Sequence, residues 1–221
     1  PVAIVAPFNF PLEIPSLQLM GALMMGNRPT LKNASTTSIV MEQYVRMLLS
    51  PEIGMPITDM DLIHSDGPAM EELIDSDVFR TIQFTGSSKV AESMSKQTGG
   101  KVKIEDAGFD WKIMGPDVMD VDYVAWVADQ DAYACSGQKC SAQSIMFMHQ
   151  NWVDAGIEQK MKDLAARRNL ADLSIGPVMT HTTDSILSHM NKLLEIPGAR
   201  LAFGGKELEN HTTPDCYGMV E

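Results

Sequence analysis

Long hydrophobic runs, paired cysteines and blocks of like charge are all scarce in this 221-residue chain. The most apolar stretch, Leu12 to Met25, is about fourteen residues and is interrupted by Pro15 and Gln18. A helical bilayer span needs about 20, so no membrane partner is expected. The opening residues do not read as a secretory signal. Three cysteines, an odd number, build no disulfide framework and suit a reducing compartment. Formal charge is −12 and no run of five or more like charges occurs, which argues against nucleic acid or an anionic membrane as partner. Small molecules or other subunits are expected instead. His64, His149, His181, His189 and His211 show no HxxxH or cysteine-paired spacing, so no metal site is expected. Neither a GxGxxG fingerprint nor an internal repeat is present.

What is there alternates between strand and helix. Val2 to Ala6 reads as a buried strand ending at Pro7, with PFNFP as a turn. Pro11 suits a first helical position, and Leu12 to Met25 reads as a helix apolar nearly all round, ended by Gly26. Strand Pro29 to Lys32 then leads through Ser35, Thr36 and Thr37 into a helix ending near Leu49. Strand Asp61 to His64, helix Pro68 to Ile74, strand Thr81 to Thr85, helix Ser87 to Gln97 and strand Val102 to Glu105 continue the pattern. Such alternation predicts an α/β fold with an open, mostly parallel sheet covered on both faces. Beyond Gly108 the expected elements are strands Trp111 to Met114 and Ile145 to His149, helices Val121 to Ala134, Asn151 to Arg168 and Thr183 to Leu194, and a last strand Leu201 to Phe203. A domain boundary is expected near Ala107 or Gly108.

The chemistry concentrates in Asp129 to Ser144, DQDAYACSGQKCSAQS. Gly137 allows a tight turn. Gln138, Lys139 and Ser141 surround Cys140 with hydrogen-bonding and cationic groups, the setting of a reactive thiolate. On these residues alone Cys140 is either a nucleophile or an inert cysteine. Cys135 follows an apolar run and is expected to be a small buried hydrophobe.

Four further places can carry chemistry. In Phe84 to Glu92, FTGSSKVAE, a strand meets a helix at Gly86 and Ser87, a phosphate-binding junction or simply a turn. Asn9, between Phe8 and Phe10 and two prolines, either donates to a developing oxyanion or caps the next helix. Lys32 ends an apolar strand, where α/β sheets bind ligands, or is a solvated lysine. Glu105 ends a strand beside Asp106, as a general base or as a surface acid. His149, nine residues past Cys140, leaves a cysteine-protease pairing as the remaining option.

PFNFP, GNRPTLKNAS, FTGSSKV, KVKIEDAG and SGQKCSA, in that order within the first 145 residues, resemble the aldehyde dehydrogenase superfamily. EDAGFDWKIMGPD and DQDAYACSGQKCSAQS are similar to its plant-type glutamate-semialdehyde group, nearly end to end. The resemblance implies a Rossmann-like later part of an NAD-binding domain over 1–107 and the first part of a catalytic domain over 108–221. It implies a catalytic set of Cys140, Glu105, Asn9 and Lys32: Cys140 as nucleophile, Asn9 with the Cys140 backbone N–H as oxyanion donors, and Glu105 as the base for thioester hydrolysis. Lys32 would bind the adenosine ribose, Gly86 and Ser87 the pyrophosphate, with Pro7 and Phe8 on the same cofactor side. Lys139 and Ser141 would hold the substrate carboxylate. The implied cofactor is NAD, with NADP kept open by Ser35, which stands where many NAD-preferring members carry glutamate. The implied reaction oxidises L-glutamate γ-semialdehyde to glutamate in proline catabolism, by a mitochondrial homo-oligomer, with the cytoplasm as the other compartment. The chain opens directly into a strand, stops in a polar region and lacks the family's C-terminal glutamate–phenylalanine motif, so it is expected to be a piece of a longer polypeptide. Other readings are a dehydrogenase for another small aldehyde and a catalytically silent interaction module.

Overall fold

A computed structural model describes residues 1–221, which divide into two compact units, Pro1–Ala107 and Gly108–Glu221. The first is built on five parallel strands: β1 (Val2–Val5), β2 (Pro29–Lys32), β3 (Asp61–Ile63), β4 (Thr81–Gly86) and β5 (Val102–Asp106). Their spatial order is β3-β2-β1-β4-β5. Chain progression therefore reverses at β1, so the loops leaving β1 and β4 diverge at the carboxyl edge, where open α/β sheets bind their ligands.

Strand periodicity explains why helices cover both faces. Ala3 and Val5 join one buried cluster with Met70, Ile74, Phe84, Ala91 and Met94. Ile4 and Ala6, pointing the opposite way, join the other with Leu19, Leu31, Met41 and Val45. Helices α1 (Glu13–Met24) and α2 (Ser38–Leu48) thus cover one face, and α3 (Gly67–Asp75) and α4 (Ser88–Gln97) the other. Helix α1 begins at Glu13 rather than Pro11, with Leu12 in the cap position and Pro15 inside the first turn, where a missing N–H costs nothing.

The second unit carries a two-stranded parallel sheet of β6 (Asp110–Met114) and β7 (Gln143–Met148), with a register shift between Asp110 and Trp111. Helices α5 (Val121–Tyr133), α6 (Gln150–Asp154), α7 (Ile157–Ala165) and α8 (Thr183–Leu194) complete it. Met114, Ala125, Trp152 and Ile157 form its buried core, and Trp152 Nε1 donates to the Gly115 carbonyl at 2.8 Å.

Three further sequence expectations fail here. The helix expected over Asn151 to Arg168 is two helices, because Gly156 adopts φ 79° and breaks the α6–α7 run. Leu201 to Phe203 forms no strand; the antiparallel pairing in that region is confined to the bridges Val178↔Gly218 and Glu207↔Val220. Cys135 is exposed rather than buried. It lies past the end of α5 with φ 54°, in a short 3-10 turn (Ala134–Gly137), so the apolar helical face ends before reaching it.

Candidate active site

The carboxyl edge of the five-stranded sheet collects the first group of residues. Strand β1 runs out into Pro7, Phe8 and Asn9, all half-buried. Lys32 is paired with Val5 as the last residue of β2. Gly86 ends β4 opposite Asp106, and Glu105 lies opposite Thr85. Asn9 lies three residues before the Leu12 cap position of α1.

Lys32 is not a solvated lysine. It is 8% exposed, and its Nζ donates to the Asn33 carbonyl at 3.2 Å. Burial pushes its pKa below the ordinary lysine value, partly offset by the negative charge of Asp66. Asn33 is also buried; its Nδ2 donates to the Pro11 carbonyl at 3.2 Å, while its Oδ1 has no hydrogen-bond partner. An ammonium with donors to spare beside an unsatisfied amide oxygen suits a ligand that offers both acceptors and hydroxyl donors, as a ribose does.

Ser87 is the N-cap of α4 in an extended conformation, and no side chain caps that helix. The N–H groups of its first turn, reached past Gly86, are therefore available to a phosphate. These features fit a dinucleotide along this edge, with Lys32 at the ribose and Gly86 and Ser87 at the pyrophosphate.

Glu105 is exposed, and its Oε2 accepts from Thr85 Oγ1 at 3.3 Å. Thr85 in turn accepts from Gln18 Nε2 at 2.9 Å. The hydroxyl thus spends its single proton on the carboxylate and leaves the second carboxylate oxygen open for a water. Neither Gln18 nor Thr85 stands out in the sequence, because strand adjacency brings Thr85 to Glu105 and helix packing brings Gln18 to Thr85.

The second group lies in the other unit. Gly137 has φ 73°, and a Cβ there would approach the Ala132 carbonyl to 3.1 Å, so the turn out of α5 depends on glycine. Lys139, Cys140 and Ser141 follow within a turn closed by the Ala142 N–H donating to the Lys139 carbonyl at 3.1 Å. Cys140 and Ser141 are exposed, Lys139 is half-buried and Ala142 is buried. A Cβ at Gly108 would come within 2.2 Å of the Cys140 carbonyl, so the peptide after the thiol packs on bare backbone.

The helix delivering this turn is anchored by an ion pair that sequence reading did not find. Asp129, 2% exposed, receives both Arg168 terminal nitrogens at 2.6 Å. The guanidinium lies 4.6 Å from the Tyr133 ring centroid. The fork geometry and the aromatic face hold the last turn of α5 fixed. Asp129 and Arg168 are 39 residues apart, so no local pattern marks them.

The first unit thus offers a parallel α/β sheet with its candidate ligand residues at the carboxyl edge, and the second an exposed thiol on a glycine-dependent turn; both are features of the class of covalent, pyridine-nucleotide-dependent dehydrogenases. The aldehyde dehydrogenase family model matches residues 1–218, and the chain belongs to that family. Over all 221 residues it is 61% identical to a probable aldehyde dehydrogenase of Linum usitatissimum, of which it covers 40%. It is 58% identical to a mitochondrial delta-1-pyrroline-5-carboxylate dehydrogenase of Arabidopsis thaliana, covering 39%. The chain therefore spans about two fifths of the length of these relatives. Its fold matches an aldehyde dehydrogenase from Bacillus cereus solved with NAD+, with a TM-score of 0.85 at 22% identity over 100% of this chain and 45% of that one. Proline utilization A of Bradyrhizobium japonicum matches with a TM-score of 0.85 at 26% identity, over 99% of this chain and 23% of that one.

Proposed function

We propose that the chain carries the nucleophile, the hydrolytic base and much of the cofactor site of an enzyme that oxidises L-glutamate γ-semialdehyde to glutamate. The observation that carries this reading is the 58% identity, along the whole chain, to a relative named for Δ1-pyrroline-5-carboxylate, the cyclic form of that aldehyde. Residues 1–107 are the later part of the NAD-binding domain and residues 108–221 the first part of the catalytic domain. The relative's name also supports a mitochondrial location.

The Cys140 thiolate adds to the aldehyde carbon, and the oxygen becomes an oxyanion held by the Asn9 amide and the Cys140 N–H. NAD, when bound, supplies the acceptor for the hydride that leaves that carbon. The product on sulfur is a thioester. Glu105, held by Thr85, takes a proton from water, which adds to the thioester carbonyl; the C–S bond breaks and glutamate leaves. Lys139 and Ser141 offer a cation and a hydroxyl to the substrate's own carboxylate. Lys32 would hold the ribose hydroxyls of the cofactor. Ser35 carries no charge to repel a 2′-phosphate, which leaves NADP open as an alternative acceptor.

The test is reduction of NAD with Δ1-pyrroline-5-carboxylate by the intact protein carrying this sequence. Cys140→Ala should lower turnover on the order of a thousandfold or more; a variant that retains normal turnover refutes the mechanism. A second reading, an interaction module without catalysis, is favoured by the exposed Trp111, Ile113, Ile145 and Phe147 on the β6–β7 sheet. Titration of NAD into the 221-residue chain separates the two, since saturable binding supports the cofactor site and its absence the module.

A further inference from the structure

The turn before Cys140 is conformationally costly. Cys135, Ser136 and Gly137 all have positive φ, near 54°, 53° and 73°. Two consecutive side-chain-bearing residues in the left-handed region persist only where their surroundings hold them.

Residues 176–179 supply that hold. Ser136 Oγ donates to the Gly176 carbonyl at 2.9 Å and accepts from the Gly176 N–H at 3.1 Å. Gln138 Oε1 accepts from the Met179 N–H at 2.7 Å. Its Nε2 donates to the Pro177 carbonyl at 3.0 Å and to the Cys135 carbonyl, also at 3.0 Å. Two side chains thus stand in for a neighbouring strand, satisfying the backbone of 176–179 while bracing their own loop.

We infer that Ser136 and Gln138 clamp the nucleophile loop to residues 176–179 and thereby set the position of the Cys140 thiol. Cys140 is two residues beyond Gln138, with Ala142 buried behind it and Gly108 against its carbonyl. With the far side of the turn fixed by packing, the near side is fixed by the clamp, and release at Gln138 swings the thiol. Ser136 and Gln138 act through Cys140 and are positioning residues. The inference rests on the reading of Cys140 as nucleophile, and misplacement by about 1 Å can cost on the order of a hundredfold in rate.

The experiment compares the intact protein carrying this sequence with its Gln138→Met and Ser136→Ala variants. Methionine keeps the length of glutamine and removes every hydrogen bond. Trp152→Phe, which loses the bond to Gly115 in the core, controls for general destabilisation. Iodoacetamide labelling is followed by peptide mapping, with exposed Cys216 as internal reference. Labelling of Cys140 relative to Cys216 should rise at least about threefold in both clamp variants and stay unchanged in Trp152→Phe. The pre-steady-state burst of reduced cofactor should fall 10- to 100-fold, with KM for NAD within about twofold. An unchanged labelling ratio in both variants overturns the clamp, as does an equal acceleration at Cys140 and Cys216. A wild-type protein with no burst would refute the dehydrogenase reading instead, while the labelling ratio still decides the clamp.

Discussion

At the scale of single residues, Lys32 is the clearest case of a side chain placed at a cost to the fold. Its charge is buried, so the folded state carries a penalty that is fully present below its depressed pKa. The penalty is relieved as pH rises through that value toward the ordinary 10.5. Lys32→Met should therefore leave the melting temperature unchanged or raised at neutral pH, with the advantage shrinking in alkali, as read by calorimetry across pH. The same variant should weaken NAD about 10- to 100-fold, the loss of one or two charge-assisted hydrogen bonds. Improved stability with unaltered NAD affinity would make Lys32 an unrelated defect. Thr85→Val keeps the shape of the side chain and frees the Glu105 carboxylate. It should slow thioester hydrolysis several-fold more than acylation, seen as a burst preserved above a reduced steady-state rate. A uniform fall in both phases would show that Thr85 does not act through Glu105.

At the scale of elements, the Asp129–Arg168 pair decides whether α5 ends where the nucleophile turn needs it to. Replacing Arg168 with methionine leaves a carboxylate buried without its cation and should cost about 3–5 kcal/mol by urea denaturation. A loss below about 1 kcal/mol would place the pair among surface bridges. Much of this level was legible in sequence. The strands and helices of the first unit stand where they were read to within a residue or two at their ends, since each is a short local pattern, continuously apolar where both faces of the sheet are buried. Two of the failures occur where one backbone angle outweighs pattern. Gly156 splits a helix that composition favours throughout, and the left-handed Cys135 turns outward a thiol that its apolar neighbours suggested was buried. Gln18, Thr85, Ser136 and Arg168 escaped notice because their partners are 67, 20, 40 and 39 residues away in sequence.

At the scale of the whole molecule, the two units take different tasks in the proposed reaction: the dinucleotide goes to the sheet edge of one, and the nucleophile to the braced cysteine turn of the other. The order of five short motifs made the family legible. What sequence did not disclose is how the turn and the base are held, because that depends on strand adjacency and long-range hydrogen bonds. The exposed face of β6 and β7 belongs to this scale too. In the 221-residue chain, Ile113→Lys with Phe147→Lys should reduce concentration-dependent association measured by sedimentation. Undiminished association would place the contact elsewhere.

The central claim is that sulfur at Cys140 bonds covalently to the substrate carbon and that Glu105 releases it. Glu105→Gln in the intact protein should retain the first step and stall at the second, so incubation with Δ1-pyrroline-5-carboxylate and NAD should trap an acyl group. Peptide mass spectrometry is predicted to find that group on Cys140 and on neither Cys135 nor Cys216. An adduct on another cysteine, or none while reduced cofactor accumulates, would contradict the account.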